Sequence, residues 1–139
     1  MLYKGSCICK RWHLELRLAM RLEELNPRVC DCNYCGANPA SIISTPNMSV
    51  DFVGSGVSIE QNGDRLANFY HCKGCKALLA VGRDINGQLR GAVNANLLQD
   101  MNKLGPPIQI QPRLLSANEK LERWNQLWGL LSGLEKTRQ

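Results

Sequence analysis

Cys7-Ile8-Cys9, Cys30-Asp31-Cys32-Asn33-Tyr34-Cys35 and Cys72-Lys73-Gly74-Cys75 contain all seven cysteines of a 139-residue chain. An odd number of sulfurs cannot pair completely into disulfides. The opening Met1-Leu2-Tyr3-Lys4-Gly5-Ser6 has no apolar run of the length that a secretory signal needs, so reduced thiols and a cytoplasmic location are expected. Cysteines two apart on an extended segment point to one face, and a Cys-x-x-Cys turn brings two sulfurs to one point. Both spacings suit zinc, whose thiolate ligands lie at about 2.3 Å. Two closely spaced pairs suffice for one tetrahedral site, and they leave a trio whose fourth position is open. That inequality matters, because closed sites hold folds together and open ones admit water or substrate.

Outward from these anchors the chain reads as short strands. Trp12-His13-Leu14-Glu15-Leu16-Arg17-Leu18 alternates apolar and polar residues and predicts a half-buried strand. Further strands are expected over Ser41–Ser44, Ser49–Val53, Val57–Gln61, Ala67–His71, Leu78–Val81 and Arg90–Asn94. They are punctuated by Pro46, Gly54-Ser55-Gly56 and two Asn-Gly pairs, Asn62-Gly63 and Asn86-Gly87, which signal hairpins. The middle cysteine group, followed by Gly36 and Pro39, sits on a loop.

The end of the chain differs. Gly105-Pro106-Pro107 reads as a linker, and Ser116-Ala117-Asn118-Glu119 has the form of a capping box. A helix is expected to run from there to about Leu131, with Leu121, Trp124, Trp128 and Leu131 as its apolar stripe and Ser132-Gly133 as its stop. The organisation predicted is a zinc-binding β domain over 1–104, then a linker and amphipathic helix over 105–139. That helix packs on the domain or serves a partner, a second copy of the chain included. No repeat or membrane-spanning segment is visible.

At 15.5 kDa one domain is expected. Aromatic residues make up only 6% of the chain, so metal binding is expected to add to a modest core. The formal charge of +5 suggests nucleic acid until the thiolates are counted. Seven thiolates against two doubly charged ions remove three units, leaving about +2, and the basic residues are scattered in small groups such as Lys10-Arg11, Lys73 with Lys76, and Arg83 with Arg90. The charge is therefore weak evidence for a phosphate-binding surface, and nucleic acid is not expected as the main partner.

The order Gly5-Ser6-Cys7-x-Cys9, Cys30-x-Cys32-x-x-Cys35, Cys72-x-x-Cys75 resembles the family of glutathione-dependent formaldehyde-activating enzymes and centromere protein V. Val93-Asn94-Ala95-Asn96-Leu97-Leu98 looks like that family's closing strand, and the resemblance spans roughly residues 4 to 100. It implies a mainly β, Mss4-like zinc-bound fold of small coiled sheets, here followed by the C-terminal helix. It also implies that Cys7, Cys9, Cys72 and Cys75 form the closed structural site, and Cys30, Cys32 and Cys35 the open one. Chain entropy agrees, since joining residues 7 and 9 to 72 and 75 restricts the unfolded state far more than three ligands within six residues do. The chain departs from the family pattern at Asp31, where histidine is common, and at Lys10 and Lys76, where glycine is common. Lys73 and Lys76 either offset the negative charge of a four-thiolate centre or are two solvated lysines beside a knuckle.

An open zinc polarises a carbonyl or binds a sulfur, so Cys30, Cys32 and Cys35 are the candidate catalytic ligands. His71 and Asp31, with Tyr34, are the candidates for proton transfer. The alternative for His71 is a packed histidine beside a structural cysteine, and His13 is expected to be exposed. The resemblance implies a zinc-dependent carbon–sulfur lyase acting on a small thiol adduct or carbonyl compound, with two zinc ions per chain and glutathione as co-substrate. Two alternatives stand beside it: a zinc-stabilised module that binds protein or nucleic acid, and a glutathione-independent zinc enzyme of specialised metabolism.

Overall fold

In the computed structural model, residues 1–30, 40–61, 66–110 and 115–134 are described. The protein is mainly β with one C-terminal α-helix, and eleven strands, counted among the described residues, belong to a single branched sheet. β1 (Leu2–Ser6) and β2 (Trp12–Arg17) form an antiparallel hairpin from Leu2 opposite Arg17 to Ser6 opposite His13. The alternation read in the sequence is realised in β2, where Trp12, Leu14 and Leu16 are buried while His13 and Arg17 are exposed. β5 (Ser49–Gly54) lies antiparallel to β2. The chain then bends through Gly54-Ser55-Gly56 into β6 (Val57–Gln61), which pairs with β7 (Asn68–Cys72) rather than with either neighbour of β5. This bend carries the chain from one arm of the sheet to the other.

β8 (Leu78–Ile85) and β9 (Gln88–Asn94) form the longest hairpin, turning at Asn86 (φ 54°) and Gly87 (φ 83°). Two consecutive left-handed residues make the turn whose twist matches that of paired strands, as this Asn-Gly pair predicts. Asn62-Gly63 lies outside the described residues. β9 is the branch point. One edge pairs with β8, and the other is shared by β4 (Ile42–Ile43) and β11 (Gly129–Ser132). β3 (Arg28–Cys30) extends the β4 arm, and β10 (Ile108–Ile110) pairs with it in parallel.

The tail corrects the sequence reading. Helix α1 spans Ala117–Leu127, and the expected capping box is present, with the Glu119 amide donating to Ser116 Oγ at 3.2 Å and the Ser116 amide to Glu119 Oε1 at 2.8 Å. The helix does not run on to Leu131. Trp128 turns extended (φ −82°, ψ 142°), and the next four residues form β11, parallel to β5 and antiparallel to β9. A step of three residues from Trp128 to Leu131 fits a helix, but over so short a span two-residue alternation places Leu131 equally well. The unpaired edges of β5 and β9 decide between them, because their amides and carbonyls need partners. The Gly105-Pro106-Pro107 segment is held at both ends, by the Gly105 amide on the Leu25 carbonyl at 2.9 Å and the Ile108 amide on the Pro27 carbonyl at 2.8 Å. β1, β3 and β10 were not foreseen either. β3 and β10 are only three residues long, too short to show a period.

The main core gathers Leu16, Ile43, Phe52, Leu79, Val93 and Leu134, and Cys7 and Cys72 belong to the same cluster. Hydrophobic packing therefore takes in two of the seven cysteines. A smaller cluster of Ala67, Ala92 and Trp128, joined by Ile42, Val81 and Trp124, lies on the other face of β8–β9. Trp124 and Trp128 stack there with ring centres 4.5 Å apart. No helix among the described residues is long and apolar enough to cross a membrane.

Candidate metal centre

Two tight loops from opposite arms of the sheet build the centre. In the first, Cys7 follows β1 and its carbonyl accepts from the Lys10 amide at 3.0 Å, so the Cys7–Cys9 pair sits on a turn rather than on the extended segment its spacing suggests. In the second, Cys72 ends β7 and its carbonyl accepts from the Lys76 amide at 2.9 Å. Both loops leave through a lysine in the left-handed region, Lys10 at φ 64° and Lys76 at φ 67°. Only glycine adopts that conformation freely. The two positions where the resembled family commonly carries glycine are thus two of the three non-glycine positions with positive φ among the described residues, Asn86 being the third. Lys76→Gly is expected to stabilise the zinc-loaded protein by about 1 kcal/mol, read as a higher urea midpoint with an unchanged slope. An unchanged midpoint would show that the loop relaxes around lysine.

The four sulfurs meet. Sγ of Cys7 lies 3.6 Å from Cys9 and 3.8 Å from Cys72, Cys9 lies 3.6 Å from Cys72, and all ligand atoms of Cys7, Cys9, Cys72 and Cys75 are within 4.8 Å of one another. A tetrahedron with arms of about 2.3 Å has edges of about 3.8 Å, so the spacing fits four thiolates around one zinc ion. It is far too long for a sulfur–sulfur bond. Cys7 and Cys72 are buried, Cys75 is half-buried and Cys9 is exposed. The Trp12 amide points at Cys7 Sγ at 3.4 Å and the Gly74 amide at Cys72 Sγ at 3.3 Å, dipoles that favour charged sulfur.

The protein groups set the thiols unequally. Burial pushes Cys7 up to about 11, against the Trp12 amide. At Cys75 burial also works upward, but the Cys9 and Ala77 amides and the neighbouring thiols outweigh it and bring the group down to about 6. The Arg11 amide holds Cys9 below the ordinary thiol value.

Three residues that the cysteine spacing does not reveal brace this arrangement. Trp12 is buried edge-on to Phe52, and its indole N–H donates to the Gly56 carbonyl at 3.1 Å, fixing the first loop to the bend between β5 and β6. Gly74 leaves room for its neighbours, since a Cβ there would stand 3.1 Å from Cys9 Sγ and 3.0 Å from Arg11 Nε. Arg11 thus leans over the cysteine loop, in a place to offset its charge. Nothing in the order of the cysteines separates Trp12 or Arg11 from their neighbours in the chain.

His71 sits just before Cys72, past an irregularity in the β7–β8 register. Its Nδ1 lies 3.2 Å from the Lys76 carbonyl, which can only accept, so Nδ1 carries a proton; Nε2 is 3.6 Å from Glu60. The ring is buried and ties the second loop to β6. His13 is exposed. The other candidates belong to the middle loop. Cys30 ends β3, whereas Asp31, Cys32, Tyr34 and Cys35 lie outside the described residues.

No protein-family model and no curated protein matches the chain. Among solved structures it is similar to the crystal structure of a Rhodobacter sphaeroides protein, with a TM-score of 0.50 and 24% identity over 69% of this chain and 87% of that one. The likeness is one of fold, a mainly β architecture on which the four-cysteine centre is set.

Proposed function

We propose that the chain is a cytoplasmic zinc enzyme of the carbon–sulfur lyase type. In this reading Cys7, Cys9, Cys72 and Cys75 hold a structural ion, and Cys30, Cys32 and Cys35 hold a reactive one. The observation that carries the reading is the completeness of the first centre: four sulfurs at tetrahedral spacing tie two distant hairpins together, so the frame does not need the remaining three cysteines. When bound by three thiolates, zinc supplies a Lewis acid with a position open to an incoming sulfur or oxygen. Cys30, as the last residue of β3, anchors that loop to the sheet. The substrate is a small thiol adduct or carbonyl compound, with glutathione the thiol that the family resemblance implies, and Asp31 and His71 remain the candidate proton carriers.

A second reading, a zinc-stabilised interaction module, is favoured by one observation: α1 contributes no fully buried residue of its own. It leaves a helical surface for a partner or a second copy of the chain.

Cys35→Ser separates the two. On the catalytic reading it lowers the zinc content from two ions per chain to one, leaves the thermal midpoint within a few degrees, and abolishes turnover of aldehyde–glutathione adducts followed by mass spectrometry. Full turnover by a chain holding one ion would defeat the proposal, and unfolding of the variant would favour the module.

A further inference from the structure

The solvent face of the β1–β2–β5 arm carries a groove of about 430 Å³. Strand register builds it in rows. Ser6, His13 and Val53 stand side by side across the three strands, and two residues further along Lys4, Glu15 and Asp51 do the same. Burial alternates along β2 and β5, so Trp12, Leu14 and Phe52 fill the core while the groove side chains point outward. Gln99 lines the edge of β1, its amide donating to the Lys4 carbonyl at 3.0 Å. Small-ligand sites occupy about 300–1,000 Å³, so the groove has room for one small molecule.

Its charges balance in number but not in place. Lys4 and Lys10 offset Glu15 and Asp51, yet both carboxylates stand in one row. At the other end the Lys10 ammonium donates to Ser6 Oγ at 3.2 Å, and among the described residues no carboxylate pairs with Lys10 or His13. Lys10 holds its left-handed φ of 64° at a cost, and strain of that kind concentrates where a side chain is aimed at a ligand. Glu15 and Asp51 face each other across the ladder, a repulsion eased by Arg17, 3.4 Å from Glu15 and 2.6 Å from Asp51, and by Lys4, 3.9 Å from Glu15. A carboxylate accepts about four hydrogen bonds, so each can take a further donor. That donor is not a metal ion, because the ligating side chains that converge on one point, among the described residues, are the four cysteines.

We propose that this groove binds a small zwitterion of the α-amino acid class, its carboxylate on Lys10, Ser6 and His13 and its ammonium on Glu15 and Asp51. The two rows lie about 7 Å apart, twice the rise of an antiparallel strand, a separation that the two charged groups of one such molecule can bridge. Val53, 70% exposed beside His13, offers an apolar contact to the ligand's side chain. A polyanion is disfavoured because the two carboxylates repel it, and a simple amine leaves Lys10 and His13 without an anion. None of the lining residues belongs to the middle cysteine loop, so binding here is independent of the lyase chemistry proposed for that loop.

The test is calorimetric titration of the zinc-loaded full chain with L-leucine, N-acetyl-L-leucine and L-leucinamide, at neutral pH and constant ionic strength. Saturable binding of L-leucine is expected. Each derivative should bind about tenfold more weakly or worse, because one lacks the ammonium and the other the carboxylate, and each loss removes a charge-assisted contact. Lys10→Gln and Glu15→Gln are each expected to weaken L-leucine by about the same factor, while Lys103→Gln, outside the groove, leaves it unchanged. Lys10 adjoins Cys9, so zinc content is measured alongside, and if Lys10→Gln loses metal, Glu15→Gln decides. No saturable binding, equal affinity for N-acetyl-L-leucine, unchanged affinity in Glu15→Gln, or equal weakening by Lys103→Gln overturns the site.

Discussion

Cys72→Ser is expected to abolish the cooperative unfolding transition and to remove the metal held by the four-cysteine centre. Cys72 is fully buried, its sulfur stands 3.8 and 3.6 Å from those of Cys7 and Cys9, and its amide and carbonyl close the loop that presents it. A serine oxygen is shorter, is a poor zinc ligand at neutral pH and leaves a polar atom in the core. Structural zinc in thiolate sites contributes about 10–16 kcal/mol, comparable to the whole stability of a domain at about 5–15 kcal/mol, so losing even part of it exceeds the margin. Elemental analysis after dialysis, with circular dichroism melts, checks both parts, and a strong chelator should reproduce the loss in the unaltered protein. A variant that keeps its metal and melts within a few degrees of the parent would show that the core alone sustains the fold.

A chain ending at Ser116 is expected not to fold. Were the tail only a helix docked on a finished domain, its loss would cost a few kcal/mol and leave a sharp melt. Instead β11 lies between β5 and β9, and cutting it away bares the edges of both. It also removes Trp128, Leu131 and Leu134, all buried. Each large apolar side chain taken from a core costs about 2–5 kcal/mol, so the three together reach or exceed the margin before any ladder hydrogen bond is counted. A melt of the truncated chain in excess zinc decides the matter, and retention of a cooperative transition would mean that β5 and β9 can close on each other.

Legibility followed the range of the forces involved. β2, β6 and the Asn86-Gly87 hairpin were readable because alternation and turn chemistry are local, and the Ser116–Glu119 capping box for the same reason. β11 was not. Four residues satisfy both periods, and what selects the strand is an empty slot formed by residues some forty and eighty positions earlier in the chain. The centre divides in the same way. Cysteine spacing pointed to metal, yet the left-handed strain at Lys10 and Lys76, the brace from Trp12 to Gly56 and the cation at Arg11 arise only where two loops meet.

The sequence by itself determined the mainly β class, the sulfur donors of the metal chemistry and the start of the terminal helix, because each is written in neighbouring residues. Only the tertiary structure decided where the helix yields to a strand and which backbone conformations the cysteine loops must hold. Those outcomes depend on backbone groups needing partners, a condition met only when distant segments are packed together.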